Sequence, residues 1–279
     1  MSPFGLNVDH IRSLGTPRDD AYWVNFLTTL SGEVLGQLTY ERMDRGVLDH
    51  TPEMIHNIAQ PDFEEYLGER LSNEYRVDIQ NGVSFVSLAQ SKVTIRSKYF
   101  IACDGAKSKV CQHVGIDSDC EDSYETMMMI HFSANLREAC STGFSIPGTW
   151  LTIAYNLSGN AVLITHFDFD KYPVDTRNKD LCQQVLKGAI GKDMSPKVLS
   201  YRPWILSRKV AKVYRERNVF LTGDAAHSFP PTGGLGLNSS FADVHNLAFK
   251  VAHALHHPSS PTLLDSYTEE RRHVAEVSS

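Results

Sequence analysis

A strand, an acid, a glycine-rich loop and a helix follow one another in residues 217–250, RNVFLTGDAAHSFPPTGGLGLNSSFADVHNLAFK. The apolar run Val219–Thr222 predicts a short strand that ends at Gly223 and Asp224, and a helix is predicted to begin near Asn238. A carboxylate accepts hydrogen bonds from sugar hydroxyls, glycines let backbone N–H groups approach a ligand, and a helix start offers unpaired N–H groups. This order therefore suits a polyhydroxylated, anionic cofactor.

A plain glycine loop that joins a strand to a helix is the alternative interpretation of this segment. Such a loop has no need of an acid at the strand end, a double proline at Pro230-Pro231 and an asparagine at the helix start. Because all three occur together, the cofactor interpretation is favoured.

Two shorter motifs lie upstream of this segment. Residues Ala102–Val110 (ACDGAKSKV) predict a strand end, then Asp104 and Gly105, then a short helix. A surface Asp-Gly turn is the alternative for them. In Ile58–Leu67 (IAQPDFEEYL), Gln60 precedes a predicted helix, and a solvated side chain is the plain interpretation of this glutamine.

The segment GDAAHSFPPTGGLGLN, followed by Asp243, Asn246, Leu247 and Lys250, resembles the second FAD motif of the class A flavoprotein monooxygenases. These are the aromatic hydroxylases that share the p-hydroxybenzoate hydroxylase fold. The flanking segments WILSRKVAKVYRERNVF and LLDSYTEERRHVAE are most similar to the phenol hydroxylase and dichlorophenol hydroxylase branch. ACDGAKSKV resembles the DGxxSxVR motif of the family, and IAQPDFEEYL resembles the segment in which a glutamine touches the flavin.

The resemblance implies an FAD-dependent monooxygenase that hydroxylates a phenolic or aromatic polyketide-type small molecule with NAD(P)H and O₂. It implies a role in FAD binding for residues of all three motifs: Gln60, Asp104, Gly105, Gly223, Asp224, Pro231, Gly233, Gly236, Leu237 and Asn238. Asp224 would hold the ribityl chain, while Leu237 and Asn238 would address the pyrimidine side of the isoalloxazine. Cys111 replaces the arginine that closes the DGxxSxVR motif, which puts the handling of NADPH in doubt.

The strand-GxGxxG-helix unit with which family members open, and which holds the ADP half of FAD, has no match here. Gly5 and Gly15 are isolated, and HIRSLGTP resembles the helix that follows that unit in the family. Loss of the pyrophosphate cradle would weaken FAD binding strongly. The second hypothesis is therefore a truncated or repurposed non-redox homologue with weak or no FAD binding.

The predicted fold is a mixed α/β chain in which a truncated, Rossmann-like FAD-binding domain carries an inserted antiparallel-sheet substrate domain. Residues 1–122 and 216–279 are assigned to the FAD-binding domain and residues 123–215 to the substrate-binding domain. The insert is predicted to contain three strands and a helix: Met127–Ala134, Trp150–Leu157, Ala161–Phe169 and Asp180–Ile190. Short strands are also predicted at Val77–Ile79 and Val83–Leu88.

The inserted sheet supplies the residues that are plausible substrate contacts, namely Met127–Met129, Phe132, Trp150, Tyr155 and Phe167. Because successive side chains of a strand point to opposite faces, only some of these can face a ligand, and the others must be core. No catalytic base is assigned. Tyr155 and His166 are candidates, with a structural role as the alternative for each, and His227 is expected to orient its loop by hydrogen bonding.

Composition excludes several other functions. The 279 residues are 42% hydrophobic, enough for a sizeable core, and the net charge of −6 provides no basic field for nucleic acid or an anionic membrane. No apolar run approaches the ~20 residues of a membrane span, and the start of the chain lacks the apolar core of a signal peptide. The five cysteines include no CxxC pair, and the histidines show no metal-site spacing. We therefore predict a cytoplasmic protein with a small aromatic substrate and no metal; a homodimer is left open.

Overall fold

The computed structural model describes residues 5–40, 45–51, 54–87, 95–140, 143–147, 151–166, 178–230, 234–257 and 261–278. The helices are α1 (Val8–Leu14), α2 (Arg18–Ala21), α3 (Gln60–Ser72), α4 (Lys109–His113), α5 (Lys179–Ile190), α6 (Leu235–His256) and α7 (Pro261–Val277). The strands are β1 (Trp23–Leu27), β2 (Val34–Thr39), β3 (Phe100–Ala102), β4 (Ser118–Ser133), β5 (Phe144–Pro147), β6 (Leu151–Ala154), β7 (Asn160–His166), β8 (Lys197–Ala211), β9 (Arg215–Glu216), β10 (Val219–Leu221) and β11 (His227–Ser228). The mixed α/β class expected from the sequence is confirmed. Of the helices among the described residues, none combines the length and apolar character needed to cross a membrane.

The chain forms two compact units, each built from two separate segments. The first unit comprises Met1–Gln80 and Glu125–Trp204, and the second comprises Asn81–Tyr124 and Ile205–Ser279. Residues 1–80, which the sequence interpretation grouped with 81–122, thus share a unit with the large sheet. The division of the chain into cofactor and substrate domains stays a prediction.

Seven strands that lie wholly or partly in the first unit follow the order β8-β4-β7-β6-β5-β1-β2 in their sheet. The pairs β4–β7, β7–β6 and β6–β5 are antiparallel, as expected for the inserted sheet, and the N-terminal pair β1–β2 is antiparallel as well. In addition, β1 pairs with β5 in parallel, from Val24 opposite Phe144 to Leu27 opposite Pro147. The sheet is therefore larger than the predicted insert, because a distant N-terminal hairpin extends it.

The core of the first unit follows from the alternation of buried and partly buried residues along Met127–Ser133 of β4. Met128, Ile130 and Phe132 are fully buried on one face of β4, and Leu163 of β7 lies directly opposite Ile130. Helix α5 covers this face through Leu186 and its buried neighbours. The side chain of Asn178 caps the start of α5, and Gly191 ends it in the left-handed conformation, φ 74°.

A separate core holds the second unit together. Strand β10 pairs in parallel with β3 and antiparallel with β9, and α6 and α7 contribute apolar side chains to the same cluster. Phe220, Tyr214 and Tyr267 are fully buried at its centre, and Tyr267 Oη donates a hydrogen bond to the carbonyl of Leu221 at 2.9 Å.

The strands predicted at Val77–Ile79 and Val83–Leu88 are wrong for the residues that the structure describes there, 77–79 and 83–87. Val77, Ile79, Val83 and Val86 are all exposed. An extended, alternating segment is stable only when a neighbouring strand satisfies its backbone and a core accepts its apolar side. The local sequence shows the alternation of apolar and polar residues, but it does not show whether a neighbouring strand is present to pair with the segment.

Candidate functional site

The two acid-glycine motifs lie at the same edge of the small sheet in the second unit. Strands β3 and β10 are parallel, and each is followed at its carboxyl end by an acid and a glycine. The N–H of Thr222 donates to the carbonyl of Ala102 at 3.0 Å, so the chains remain paired up to the start of both turns. Ligands of parallel α/β sheets bind at this edge, where the strands deliver their loops.

The Asp104 carboxylate is used inside its own turn. It accepts hydrogen bonds from Ser108 Oγ at 2.6 Å and from the N–H of Val110 at 3.1 Å, and Ser108 in turn caps α4 by accepting from Cys111 N–H. Burial alone would raise the pKa of Asp104, but these hydrogen bonds outweigh it and lower the pKa below its usual value. The ionised Asp104 thus stabilises its own turn by hydrogen bonds, and the following residue, Gly105, has φ 81°.

The Asp224 carboxylate, by contrast, is exposed. It lies in a 3₁₀ turn, Gly223–Ala225, that follows β10 directly. Within the part of the chain that the structure describes, its side chain has no hydrogen-bond or ion-pair partner. An ionised, unpaired carboxylate at a strand end can accept hydrogen bonds from hydroxyl groups of a ligand.

Helix α6 begins three residues earlier than the sequence pattern predicted, at Leu235 rather than near Asn238. Gly234 precedes it with φ 62°, and no side chain caps its N-terminal N–H groups among the described residues. Asn238 is therefore inside the first turns of the helix, where its Nδ2 donates to the carbonyl of Gly234 at 3.0 Å. Leu237 is 55% exposed, and a Cβ placed on Gly236 would meet open space.

Pro231 and Gly233 lie outside the described residues, so their predicted contacts with FAD stay predictions. Gln60 lies in the first unit at the start of α3, and its side chain donates to Glu64 Oε1 at 2.5 Å. Its predicted contact with the flavin also stays a prediction. The described members of the motif around Gly223 and the turn at Asp104 lie together in the second unit.

A buried ionic network behind the turn was not foreseen from the sequence. Asp243 of α6 has no exposed surface, and it accepts hydrogen bonds from Gly223 N–H at 3.2 Å, His227 Nε2 at 2.6 Å and Arg271 Nε at 2.7 Å. His227 therefore does take part in holding its loop. The available signal was one stripe of α6, in which two charged residues, Asp243 and Lys250, share helical spacing with the apolar Leu247 and Ala254.

Lys250 occupies the same stripe and is 1% exposed. Its Nζ donates to Ser266 Oγ at 2.7 Å and lies 2.9 Å from Glu270 Oε2, while Asn246 Nδ2 donates to the same carboxylate at 2.6 Å. These hydrogen bonds, first that of Lys250 and then that of Asn246, lower the pKa of Glu270 to about 2. This second network joins α6 to α7 without reaching the turn at Gly223.

The first unit contains a cavity of about 790 Å³ beside the exposed face of its sheet. Met129 and His131 of β4 and Val162 of β7 line it, and the segments 13–17 and 59–62 close the opposite side. These strand residues alternate with the core residues of the same strands, as the pleat requires. The volume is within the range of about 300–1,000 Å³ for sites that take drug-sized molecules.

Polar side chains from separate segments also line the cavity. Tyr155 follows β6, Arg202 belongs to β8, and His131 to β4; the others are Ser13, Gln60, Asp62, Asn156, Asn160 and Ser200. Burial raises the pKa of the Tyr155 phenol, so the hydroxyl stays protonated at neutral pH and acts as a hydrogen-bond donor rather than as a base. A neighbouring cavity of about 540 Å³ lies between α1 and residues 48–57 and includes no residue of the sheet strands.

Of the predicted substrate contacts, Met129 and Tyr155 line the cavity. Met128 and Phe132 do not, because they point to the opposite face of β4 and are fully buried in the core. Trp150 and Phe167 lie outside the described residues, as does the side chain of His166.

Comparison with known proteins identifies the family. A model of a protein family described as FAD binding domain matches residues 24–278. The chain belongs to the FAD binding domain family. It is 29% identical to a tetracenomycin A2 monooxygenase-dioxygenase of Streptomyces glaucescens, over 93% of this chain and 52% of that protein. It is 27% identical to a 2,4-dichlorophenol 6-monooxygenase of Delftia acidovorans, over 90% of this chain and 48% of that protein.

A solved structure, the flavin-dependent monooxygenase PieE in complex with FAD and substrate, superimposes with a TM-score of 0.87 and 25% identity. The match covers 96% of this chain and 52% of that one. The chain thus spans about half the length of the relatives it matches.

The donor set of this FAD binding domain suits the group that the family binds. The exposed carboxylate of Asp224 matches the hydroxyls of a sugar-alcohol chain, and the uncapped start of α6 offers N–H groups and a positive dipole end to an electron-rich ring. Cβ atoms built on Gly105, Gly234 and Gly236 would each meet open space, so the backbone there is accessible to a ligand. A carboxylate acceptor binds neutral hydroxyl groups, and backbone N–H donors at a helix start bind anionic or electron-rich groups.

Proposed function

We propose that this chain belongs to an FAD-dependent monooxygenase that hydroxylates a phenolic or aromatic polyketide-type molecule. The observation that carries the proposal is the exposed Asp224 carboxylate, which follows β10 in a turn packed against the first turns of α6. The relatives named as monooxygenases support the reaction class.

In this proposal the second unit holds the cofactor. Asp224 accepts hydrogen bonds from the ribityl hydroxyls, and the N–H groups at the start of α6 favour negative charge at the ring that they face. Bound in this way, FAD would supply the redox chemistry of the reaction, in which NAD(P)H is the reductant, one atom of O₂ enters the aromatic ring and the other becomes water. Asp104 and Gly105 shape the neighbouring turn, and Cys111 at the end of that motif leaves the choice between NADH and NADPH open.

We propose that the aromatic substrate binds in the cavity of about 790 Å³ in the first unit. Met129 and Val162 offer apolar contact to a ring system, and the Tyr155 hydroxyl donates a hydrogen bond to a ring oxygen. Arg202 supplies a cation that favours a phenolate or another acidic substituent. The lining therefore suits a polar, oxygenated aromatic molecule better than a plain hydrocarbon.

The cofactor half of the proposal is tested by titration of the purified full chain with FAD. Binding is followed by flavin fluorescence and visible absorbance, and Asp224→Ala is expected to weaken it about 10- to 100-fold, the effect of losing a charge-assisted hydrogen bond of roughly 1.5–3 kcal/mol. Asp117→Asn, at a carboxylate exposed elsewhere in the same unit, serves as the matched control and should leave the affinity unchanged. A colourless chain that takes up no FAD would support the non-redox alternative instead.

The substrate half is tested by ligand binding without cofactor, with a hydroxylated polycyclic aromatic as the probe. Quenching of intrinsic fluorescence reports the affinity. Arg202→Met should weaken an acidic probe about tenfold and a neutral analogue much less, whereas Arg18→Met, at the neighbouring cavity, should affect neither. Equal affinities of all three proteins would exclude the cavity as the site. Stimulation of NAD(P)H oxidation by the probe then tests turnover.

A further inference from the structure

The Asp243 carboxylate ties both ends of the cofactor turn to the helices behind it. Its three donors are the N–H of Gly223 at the start of the turn, Nε2 of His227 at the end, and Nε of Arg271 from α7. A carboxylate without exposed surface is tolerated only when it is paired and hydrogen-bonded, so each of these contacts matters to the network.

The imidazole of His227 lies beside the ion pair of Asp243 and Arg271. It is 1% exposed, and its Nε2 lies 2.6 Å from Asp243 Oδ2. Because a carboxylate accepts hydrogen bonds, Nε2 of His227 is the donor. Its Nδ1 has no hydrogen-bond partner among the described residues, so the ring is oriented by the Asp243 contact and by stacking on Phe229 at 4.8 Å.

The backbone between the two anchors carries Asp224. Gly223 has φ 58°, Ala226 N–H donates to the Gly223 carbonyl at 2.8 Å, and Ala211 N–H donates to the Ala226 carbonyl at 2.7 Å. Because Asp243 holds both Gly223 and His227, the buried side of the turn fixes the direction of the exposed Asp224 carboxylate. Asp243 does this without itself reaching the exposed surface.

We propose that Asp243 is a positioning residue of the cofactor site, acting through Gly223 and His227 on Asp224, with Arg271 holding its charge. The inference rests on the proposed function as far as FAD is concerned. The geometric part, that the network orders the turn at 223–228, stands independently of any ligand.

Helices α6 and α7 provide a matched control. Lys250 and Ser266 form a partly buried hydrogen bond between the same two helices, in a network that does not include the turn. Ser266→Ala removes that bond and should lower the stability of the helix pair while leaving the turn intact. Any loss of FAD affinity caused by general loosening would therefore be visible in this variant also.

The test compares His227→Leu, His227→Gln and Ser266→Ala in the full chain. Leucine cannot donate to Asp243, whereas glutamine places an N–H donor close to the position of Nε2. FAD affinity is measured by flavin fluorescence, thermal stability by calorimetry, and backbone opening by hydrogen exchange of peptides that cover residues 219–230. His227→Leu should bind FAD about tenfold more weakly and exchange faster in that peptide; His227→Gln should recover most of both, and Ser266→Ala should change neither by more than twofold.

Two results would overturn the proposal. The first is that His227→Leu lowers the melting temperature as Ser266→Ala does but leaves the exchange of residues 219–230 unchanged. The second is that all variants lose FAD affinity in proportion to stability. If the unaltered chain binds no FAD, the proposed function fails, while the exchange comparison still decides whether Asp243 orders the turn. Asp243→Asn, which keeps the shape but removes the charge, should accelerate exchange in the same peptide.

Discussion

Gly223 has a conformation that other residues adopt only with strain. Its φ of 58° lies in the left-handed region, and a Cβ there would approach Ser240 Oγ to 2.9 Å. The family motif therefore contains glycine at this position for a reason that does not involve the ligand: the turn must pass close to α6 with its N–H aimed at Asp243.

Gly223→Ala is expected to destabilise the chain more than Gly105→Ala. Both glycines have positive φ, so replacement by alanine costs about 1–2 kcal/mol of stability at either position. A Cβ on Gly105, however, meets no atom within 4 Å. Urea unfolding of both variants measures the difference. The additional substitution Ser240→Ala should recover part of the loss at Gly223 and none at Gly105; equal losses would show that crowding at Ser240 contributes nothing.

The residues of the site differ in how far they can be predicted from the chain alone. Asp224 and its glycines form a contiguous motif, so their joint location at one turn could be anticipated. The ion pair of Asp243 with Arg271 could not be anticipated, because Arg271 comes from another helix and no local pattern links the two residues. Only the presence of an acid on a buried helical stripe indicates that a cation must be near.

Among the elements, helices with local start and stop signals were well predicted. Asn178 and Gly191 delimit α5, and proline at the first turn marks the start of α3. The parallel pairing of β1 with β5 carries no such signal, because it joins segments separated by more than a hundred residues. The strands expected near 77–79 and 83–87 failed for the same reason, since pairing is decided by tertiary structure.

Strand β7 offers a direct test of which face of the sheet is core. Leu163 is fully buried against α5 and β4, whereas Val162 is only partly buried and lines the cavity. Leu163→Ala should cost about 2–5 kcal/mol of stability, and Val162→Ala less than about 1 kcal/mol. Denaturant unfolding followed by circular dichroism gives both values. If Val162→Ala changes binding of the aromatic probe while Leu163→Ala does so only through unfolding, the assignment of the cavity face is supported; the reverse order of stabilities would contradict it.

The α6–α7 pair should show a defined dependence on pH. Glu270 has its pKa lowered from 4.5 to about 2, chiefly by Lys250, so the ionised form stabilises the folded state. That contribution is fully present above pH ~4.5 and disappears as the pH falls towards about 2, because the carboxyl then becomes protonated in both states. Glu270→Gln should therefore be less stable than the parent at neutral pH, with the difference shrinking across this interval. Urea midpoints at successive pH values measure it, and a difference that stays constant would exclude the ion pair as its cause.

At the scale of the whole chain, composition and motif predicted the class and the family, but not the extent of the units. The hydrophobic content implied a substantial core, and the structure divides it into two clusters, each built from distant segments. The N-terminal hairpin β1–β2 could not be assigned to the large sheet from sequence, because its own pattern is compatible with either unit.

The interleaving of the two units has a consequence for synthesis of the protein. Strand β3 is synthesised long before β10, its parallel neighbour. Strand β1 is likewise synthesised long before β5, with which it pairs in parallel. Neither unit can therefore be completed before its second segment has been synthesised, and unpaired strands persist in the nascent polypeptide until then. Pairing of strands that are far apart in the chain is slow, and the unpaired strand edges are prone to aggregation in the meantime. We therefore expect production of this chain to depend strongly on chaperones and on low growth temperature.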